Sequence, residues 1–195
     1  MKFLVMCIIS LSFYSSSVLA GEIKGYPLDK IASNTYVVHG PLESPDKNNK
    51  GFMNNPGFVV TKTGVVVIDP GSSVHVGRML LKKIKGVTNK PVTHVFNTHI
   101  HGDHWLGNQA FEEAFSNIVI LAHPEMIKRA KAGGADNWVS LMLELTEGET
   151  KGTRAVIPNK EVSDTQILKI GGMQFRIYAP KAAHSFTDIM IEVVE

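Results

Sequence analysis

The hydrophobic pattern of this sequence switches between two periods along the chain. Short apolar runs rich in Val, Ile, Phe and Tyr predict β-strands at residues 35–38, 57–61, 64–69, 91–96, 118–121, 166–170, 173–178 and 188–194. Apolar positions spaced three and four apart predict α-helices at residues 74–84, 107–115, 124–132 and 138–145. Strands and helices that alternate in this way, with hairpins early and late, favour a mixed α/β fold built in layers.

Two polar stretches interrupt the pattern. Residues 41–56 are rich in Asn, Lys, Gly and Pro, and we expect an exposed loop near one edge of the site or domain. Residues 133–160 are mixed and contain one predicted helix followed by a polar loop. The dipeptide Thr63-Gly64, between two predicted strands, suits a tight hairpin.

Composition and charge limit the number of domains and the kind of partner that this protein can have. The chain has 195 residues, of which 44% are hydrophobic, enough for one domain with a sizeable core. Lys and Arg number 20 against 18 Asp and Glu, so the net charge is only +2, and no long run of one sign occurs. We therefore expect a small-molecule substrate rather than a nucleic acid or a membrane surface as the partner, and the oligomeric state is open.

The first 20 residues have the pattern of a secretory signal peptide. Lys2 precedes an apolar run over residues 3–13, and Val18-Leu19-Ala20 places small residues before Gly21. The run is shorter than the roughly 20 residues that span a bilayer, so we expect cleavage after Ala20 and no membrane anchor afterwards. The predicted localisation is the periplasm or the exterior of the cell. We expect one domain over residues 21–195.

The only cysteine, Cys7, lies inside this predicted signal peptide. The mature chain would therefore have no thiol and no disulfide. Any metal site in it must be built from His, Asp, Glu and water.

The most informative segment places four histidines and an aspartate within residues 94–104. His99 and His101 are two apart just beyond a predicted strand, so their side chains can point to the same side and bind one ion. Gly102 allows a sharp turn, which lets Asp103 and His104 approach from another direction. Isolated histidines are usually surface or core residues, and we interpret His39, His75 and His94 in that way.

Nitrogen and carboxylate ligands suit zinc, and iron or manganese would also fit. A bound metal ion lowers the pKa of its water to about 7, and a neighbouring carboxylate can orient that water and accept its proton. The cluster therefore predicts hydrolytic chemistry.

The segment His99-Ile100-His101-Gly102-Asp103-His104 resembles the signature of the metallo-β-lactamase superfamily. Residues 65–71, with the sequence VVVIDPG, resemble the strand and acidic turn that precede this signature in the family. Residues 183–188, with the sequence AHSFTD, resemble the later segment that carries a third histidine ligand. The resemblance extends over essentially the whole mature chain and implies an αββα sandwich of two sheets flanked by helices.

The resemblance also implies roles for individual residues. His99, His101 and His184 would bind a first metal, whereas Asp103 and His104 would bind a second, with Asp103 also orienting the attacking hydroxide as the catalytic acid–base group. Asp69 would be a buried structural acid that fixes the loops by hydrogen bonds. His123 matches no ligand position of the family, and we interpret it as structural or as a surface residue.

The family pattern is incomplete at the C-terminal end. The chain stops eleven residues after His184, whereas family members have a further bridging acid and a last histidine beyond that point. We expect a fragment of a longer protein with a truncated second half; a chain completed by dimerisation and a degenerate member are the alternatives. The strand predicted at residues 188–194 would then lie at an open sheet edge. One zinc ion is expected for the chain as written, and two for the complete protein.

The resulting functional hypothesis is an exported zinc hydrolase that cleaves an ester, a thioester, a lactone or an amide, β-lactams included. The N-terminal pattern is most similar to periplasmic members associated with quinoprotein relay or sulfur oxidation. An iron-dependent oxidoreductase of the same fold, such as a sulfur dioxygenase or a diiron flavoprotein, is the second hypothesis. A metal-binding remnant without catalysis is the third. Substrate specificity is expected in the loops at residues 41–56 and 133–160.

Overall fold

The structure, a computed structural model, describes Ile23 and residues 25–194. The predicted signal peptide at residues 1–20 lies outside this part of the chain. None of the helices in the described part has the length and apolar character that a membrane span requires.

Seven strands form the larger sheet and lie side by side in chain order. The first four pair antiparallel, and from the fourth onward the pairing is parallel. Their bounds are β1 Leu28–Lys30, β2 Thr35–Val38, β3 Gly57–Val60, β4 Val65–Ile68, β5 Val92–Phe96, β6 Val119–Ala122 and β7 Lys160–Glu161. The predicted hairpin at Thr63-Gly64 is confirmed, since β3 and β4 pair directly on either side of it.

Helices cover one face of this sheet. Their bounds are α1 Val74–Val87, α2 Gly102–Trp105, α3 Asn108–Ala114, α4 Pro124–Arg129 and α5 Ala135–Leu145. Helix α1 begins after Ser73, whose side chain accepts a hydrogen bond from the backbone N–H of Val76, as is typical of an N-terminal cap. Leu80 on α1 and Phe111 on α3 are fully buried, and both belong to the core on this side of the sheet.

Three further strands form a second, antiparallel sheet that packs on the opposite face. They are β8 Ile167–Ile170, β9 Met173–Tyr178 and β10 Met190–Val194, in the order β10-β9-β8. Phe175 on β9 meets Phe96 on β5 with ring centroids 5.9 Å apart. The central strand β4 contacts both layers, because Val65 and Val67 belong to the helix-side core and Val66 to the core between the sheets.

Burial on both faces explains why β4 is a continuous apolar run rather than an alternating one. The predicted mixed α/β fold is confirmed, and in the described part of the chain its layers run helix, sheet, sheet, which are three of the four layers of an αββα sandwich. The outer face of the three-stranded sheet is exposed at Ile167, Tyr178 and Met190. Strand β10 lies at the edge of that sheet.

Two sequence predictions need correction. The stretch at residues 41–56 is not simply an exposed loop: Phe52 is fully buried and meets Tyr26 edge to face, with ring centroids 4.6 Å apart. An aromatic side chain inside a polar stretch thus fastens the loop to the core. The strand predicted at residues 188–194 begins only at Met190, because Asp188 accepts hydrogen bonds from the backbone and hydroxyl of Ser185 instead of joining a ladder.

The two helices predicted at residues 124–132 and 138–145 are confirmed as separate helices. The first ends earlier than predicted, at Arg129, and the second begins earlier, at Ala135. A kink separates them, because Ala132 and Gly133 have non-helical φ/ψ and Gly133 has φ +101°. Glycine tolerates this left-handed conformation without steric cost, so the chain changes direction there before α5 begins.

Candidate metal centre

The centre lies beyond the C-terminal ends of β4 and β5, where two loops approach each other. Asp69 follows β4, and residues 97–101 follow β5 and lead into α2. The backbone N–H of Thr98 donates to the carboxylate of Asp69 at 2.8 Å, so the two loops are in direct contact. The backbone N–H of Gly107, between α2 and α3, donates to the carbonyl of Gly71 at 2.7 Å and joins the loop after β4 to the end of α2. Ligand sites at this edge of a parallel sheet are common in α/β proteins.

Three of the predicted ligands converge on one point. His99, His101 and His184 each offer one ring nitrogen, and these three atoms lie within 4.8 Å of one another. His184 Nε2 lies 3.0 Å from His101 Nδ1, although the two residues are 83 positions apart in the chain. The edge-to-face ring contacts of His99 with both partners, at 4.7 and 4.9 Å between centroids, show that the three rings surround a shared space.

The chemistry of His99 fits a metal ligand. Its Nε2 is buried and has no hydrogen-bond partner in the described part of the chain. A buried polar atom without a partner is rare and costs free energy, so such an atom indicates a missing ligand. Burial, assisted by the neighbouring His104, lowers the pKa of His99 to about 4, which leaves its ring neutral at pH 7. Burial also lowers the pKa of His101.

Three imidazoles are a donor set that suits zinc, and iron and manganese are further candidates. Coordination requires the neutral ring, and the lowered pKa values of His99 and His101 keep that form available. The residues therefore fit a metal ion.

Asp103 and His104 lie beside this group but contact other partners. The rings of His99 and His104 have centroids 4.1 Å apart, so both residues belong to the same site. His104 Nε2 lies 3.2 Å from Asp103 Oδ2, and His104 Nδ1 lies 2.8 Å from Asp69 Oδ2. Burial opposes the charged form of His104, but the two carboxylates outweigh it and raise its pKa to about 10.

The same contact acts on Asp103 in the opposite direction. Burial would raise the pKa of Asp103, but the hydrogen bond and charge of His104, together with a backbone hydrogen bond and the charge of His99, outweigh burial and lower that pKa. The predicted metal-binding roles of Asp103 and His104 stay predictions, since their side chains pair with each other and with Asp69.

Asp69 connects the loops of the centre. It has φ +51°, and its carbonyl accepts a hydrogen bond at 2.9 Å from the side chain of Asn54. Its carboxylate accepts two hydrogen bonds from Thr98, from the backbone N–H at 2.8 Å and from the hydroxyl at 2.6 Å. The same carboxylate binds His104, so one buried acid joins the loop after β4, the loop after β5 and helix α2.

The segment that carries His184 is held against the histidine loop by the second sheet. The backbone N–H of Ile189 donates to the carbonyl of Thr98 at 2.8 Å, and the backbone N–H of Ile100 donates to the hydroxyl of Thr187 at 3.0 Å. These contacts place His184 opposite His101. Sequence reasoning assigned no role to Thr98, Thr187 or Asn54, because each contributes to the centre through long-range hydrogen bonds that no local spacing encodes.

One side of the centre is apolar. The indole ring of Trp138, on α5, lies against the ring of His101 with centroids 5.3 Å apart. A Cβ atom on Gly102 would lie 3.0 Å from this indole, so a larger residue there would require the ring to shift by a few tenths of an ångström. Phe186 is 65% exposed, and the guanidinium of Arg129 lies 5.8 Å from the centre of its ring. Sequence reasoning placed Trp138 in a helix without assigning it to the site.

The remaining histidines lie outside the centre, in keeping with their interpretation as surface or structural residues. His39 is exposed beside Asp29, and His75 contacts the carbonyl of Lys151 at 3.0 Å. His94 contacts the hydroxyl of its neighbour Thr93. His123 accepts a hydrogen bond from the backbone N–H at position 125 and caps helix α4.

Comparison with solved structures shows that the fold recurs in proteins of low sequence identity. A metallo-beta-lactamase from Pontibacter korlensis is 20% identical, with a TM-score of 0.63 over 87% of this chain and 67% of that one. The metallo-beta-lactamase IND-7 is 20% identical, with a TM-score of 0.65 over 88% of this chain and 68% of that one. A flavo di-iron protein variant from Thermotoga maritima is 14% identical, with a TM-score of 0.61 over 88% of this chain and 40% of that one.

The chain thus spans about two thirds of the two lactamases and well under half of the flavo di-iron protein. No curated protein matches this sequence. A family model described as the metallo-beta-lactamase superfamily matches residues 49–193, which include every residue of the centre. The match covers most of the chain, and this protein belongs to the metallo-beta-lactamase superfamily.

Proposed function

We propose that this protein is an exported, zinc-dependent hydrolase that cleaves an ester, thioester, lactone or amide bond of a small molecule, β-lactams included. The observation that carries the proposal is the convergence of His99, His101 and His184, with the buried Nε2 of His99 left without a hydrogen-bond partner in the described part of the chain. Family membership supports a metal-dependent activity.

In this proposal the three histidines hold the metal. Other side chains of the protein accept protons and orient the substrate. A zinc ion there supplies Lewis acidity, which polarises a carbonyl group and acidifies water. The carboxylate of Asp103 accepts a proton at Oδ2, where its contact with His104 keeps it ionised. The indole of Trp138 excludes water from the side of His101 and contacts the apolar part of the substrate.

We further propose that Asp103 and His104 are ligands of a second metal ion. One ion has three side-chain ligands among the described residues, whereas a second would have only these two. One equivalent of metal is therefore the expectation for the chain as given.

A second candidate function, an iron-dependent oxidoreductase, is supported by two observations. The imidazole donor set suits iron as well as zinc. The fold is shared with a flavo di-iron protein, although that likeness, at 14% identity, concerns the fold alone. A metal-binding protein without catalysis is the third candidate. Metal identity and turnover separate the three.

The first experiment measures metal per chain by mass spectrometry on protein purified without added metal, in the native sequence, in His101→Ala and in His39→Ala. His39 is exposed and outside the centre, so its variant controls for the loss of any histidine. We expect about one equivalent of zinc in the native protein and in His39→Ala, and none in His101→Ala.

The second step assays the zinc-loaded protein with an aryl ester, a thioester, a lactone and a chromogenic β-lactam. Hydrolysis of at least one, lost in His101→Ala, is expected. Bound iron with oxygen consumption would instead support the oxidoreductase, and metal binding without any turnover would support the third candidate. Mass spectrometry of the protein recovered from the periplasm tests export, because a chain that begins at Gly21 is expected there.

A further inference from the structure

A continuous set of hydrogen bonds leads from Asp69 to the ring of His99. The hydroxyl oxygen of Thr98 lies 2.6 Å from Asp69 Oδ2 and 3.0 Å from His99 Nδ1. Thr98 therefore lies between the buried acid and the histidine whose other ring nitrogen has no partner in the described part of the chain.

The number of hydrogens fixes the direction of these bonds. A threonine hydroxyl has one hydrogen to donate, and a carboxylate can only accept. The short contact with Asp69 therefore uses the hydroxyl hydrogen, and the remaining lone pairs of the Thr98 oxygen face His99. A nitrogen at hydrogen-bond distance from those lone pairs must be the donor, so the proton of a neutral His99 lies on Nδ1.

Two hydrogen bonds of the Thr98 main chain fix the position of this residue, and with it the position of its hydroxyl group. The backbone N–H of Thr98 donates to Asp69 Oδ1 at 2.8 Å, and its carbonyl accepts from Ile189 at 2.8 Å. The main chain of Thr98 is thus held by Asp69, which follows β4, and by Ile189, which precedes β10. The hydroxyl stays between Asp69 and His99 as long as the two sheets stay packed.

We propose that Thr98 is a positioning residue that holds His99 in the Nδ1–H tautomer, so that the lone pair on Nε2 is free for a metal ion. This inference rests on the proposed metal site, although the tautomer itself exists without any metal. Partners on the second nitrogen of a metal-binding histidine commonly fix its tautomer and orientation in this way. Here the partner is the hydroxyl of Thr98. It donates its hydrogen to Asp69, so its oxygen can only accept a hydrogen bond from His99.

Asp69 Oδ2 also contacts His104 Nδ1 at 2.8 Å, so a single carboxylate oxygen orients two rings of the centre. It acts directly on His104 and through Thr98 on His99. The second route alone depends on the side chain of Thr98, which makes it separable by mutation.

The test uses Thr98→Val, which keeps the shape of the side chain and removes the hydroxyl, and Thr98→Ser, which keeps the hydroxyl. Thr93→Val is the matched control. The hydroxyl of Thr93 also contacts a histidine ring, that of His94 at 2.9 Å, but both residues lie on strand β5 and outside the metal centre. Two quantities are measured on the full chain: the tautomer of His99 by nitrogen-15 NMR without metal, and Zn²⁺ affinity by competition with a chromophoric chelator.

We expect the Nδ1–H tautomer in the native protein, in Thr98→Ser and in Thr93→Val, and a substantial Nε2–H fraction in Thr98→Val. The Zn²⁺ dissociation constant of Thr98→Val should rise by about 10- to 100-fold, as is typical when such a partner is removed. Thr98→Ser should restore most of the affinity, which a purely structural role of the methyl group would not achieve.

An Nε2–H tautomer in the native protein would overturn the proposal, and so would an unchanged tautomer in a folded Thr98→Val. If the native protein fails to bind Zn²⁺, the proposed function fails, but the NMR comparison still decides the tautomer. If Thr98→Val does not fold, the tautomer of the native protein and of Thr98→Ser provides the decision.

Discussion

Substituting alanine for Gly107, between α2 and α3, should displace the loop after β4 that carries Asp69. Gly107 precedes α3 with φ −69° and ψ −9°, an ordinary conformation that alanine adopts without strain. Its added Cβ, however, would lie 2.3 Å from the carbonyl oxygen of Pro70 and 2.7 Å from the carbonyl carbon. Both neighbours are main-chain atoms, so the segment that follows Asp69 must move as a whole.

The magnitude follows from two terms. Overpacking of a close contact costs about 1–3 kcal/mol, and a backbone neighbour that cannot rotate away places this case near the upper end. The hydrogen bond from Gly107 to Gly71, 2.7 Å long, would be weakened by the same movement, at a cost of about 1 kcal/mol. We expect a loss of about 3 kcal/mol in the free energy of unfolding, hence a fall in Tm of roughly 6–12 °C for a chain of this length.

Gly86→Ala is the matched control. Gly86 lies in helix α1, and a Cβ there would meet no described atom within 4 Å. Because alanine is a better helix former than glycine, this variant should be more stable by about 0.5–1 kcal/mol. The two identical substitutions should therefore change stability in opposite directions.

Urea unfolding, followed by circular dichroism and by tryptophan fluorescence, measures both free energies, and chelator competition measures Zn²⁺ affinity. Zn²⁺ binding should weaken in Gly107→Ala, because Asp69 moves with its loop, and should not change in Gly86→Ala. A Gly107→Ala protein within about 0.5 kcal/mol of the native one, the usual range for surface substitutions, would refute the argument from the main-chain contact.

Three further predictions concern single side chains. Asp69→Asn should lower the free energy of unfolding by about 2–3 kcal/mol and weaken Zn²⁺ binding, because the carboxylate accepts three hydrogen bonds; an unchanged urea midpoint would contradict this. Burial lowers the pKa of His94 in the folded protein below the value of about 6.5 that it has in the unfolded chain. As the pH falls below about 6.5, the unfolded chain therefore binds a proton that the folded protein does not bind, and the free energy of unfolding decreases. His94→Gln should therefore lose less stability than the native protein between about pH 7.5 and 5.5, and parallel urea midpoints in the two proteins would argue against this cause. Trp138→Ala should reduce kcat/KM by about tenfold for substrates with an apolar group, with Trp138→Phe close to native; equal activity of both variants would remove Trp138 from the substrate site.

Local patterns in the sequence determined a large part of this protein. Eight of the ten strands and four of the five α-helices in the described part of the chain were predicted, because apolar spacing follows the period of each element and that period is a property of neighbouring residues. The short elements β1, β7 and α2 were missed, since two to four residues are too few to show a period. The same locality explains the histidine motif: His99 and His101 can be assigned to one site because only one residue separates them. The resemblance of the motif to a known family then extended the assignment to Asp69 and His184.

Tertiary structure decided what depends on residues far apart. His184 reaches His101 across 83 positions only because the second sheet packs on the first, through contacts such as that of Phe96 with Phe175. The burial of Phe52 in a polar loop had the same origin, since nothing adjacent to it in the sequence marks it as part of the core.

The protonation states of the histidines in the centre could likewise not be predicted from the sequence. A motif lists which nitrogens are available, but burial and hydrogen-bond partners decide which are neutral, which are protonated and which have no partner. His99 and His104 are the same residue type five positions apart, yet burial lowers the pKa of one to about 4, and two carboxylates raise the pKa of the other to about 10. Electrostatic environment and tautomer depend on the three-dimensional arrangement of charges and donors, which the packing of two sheets and three loops creates.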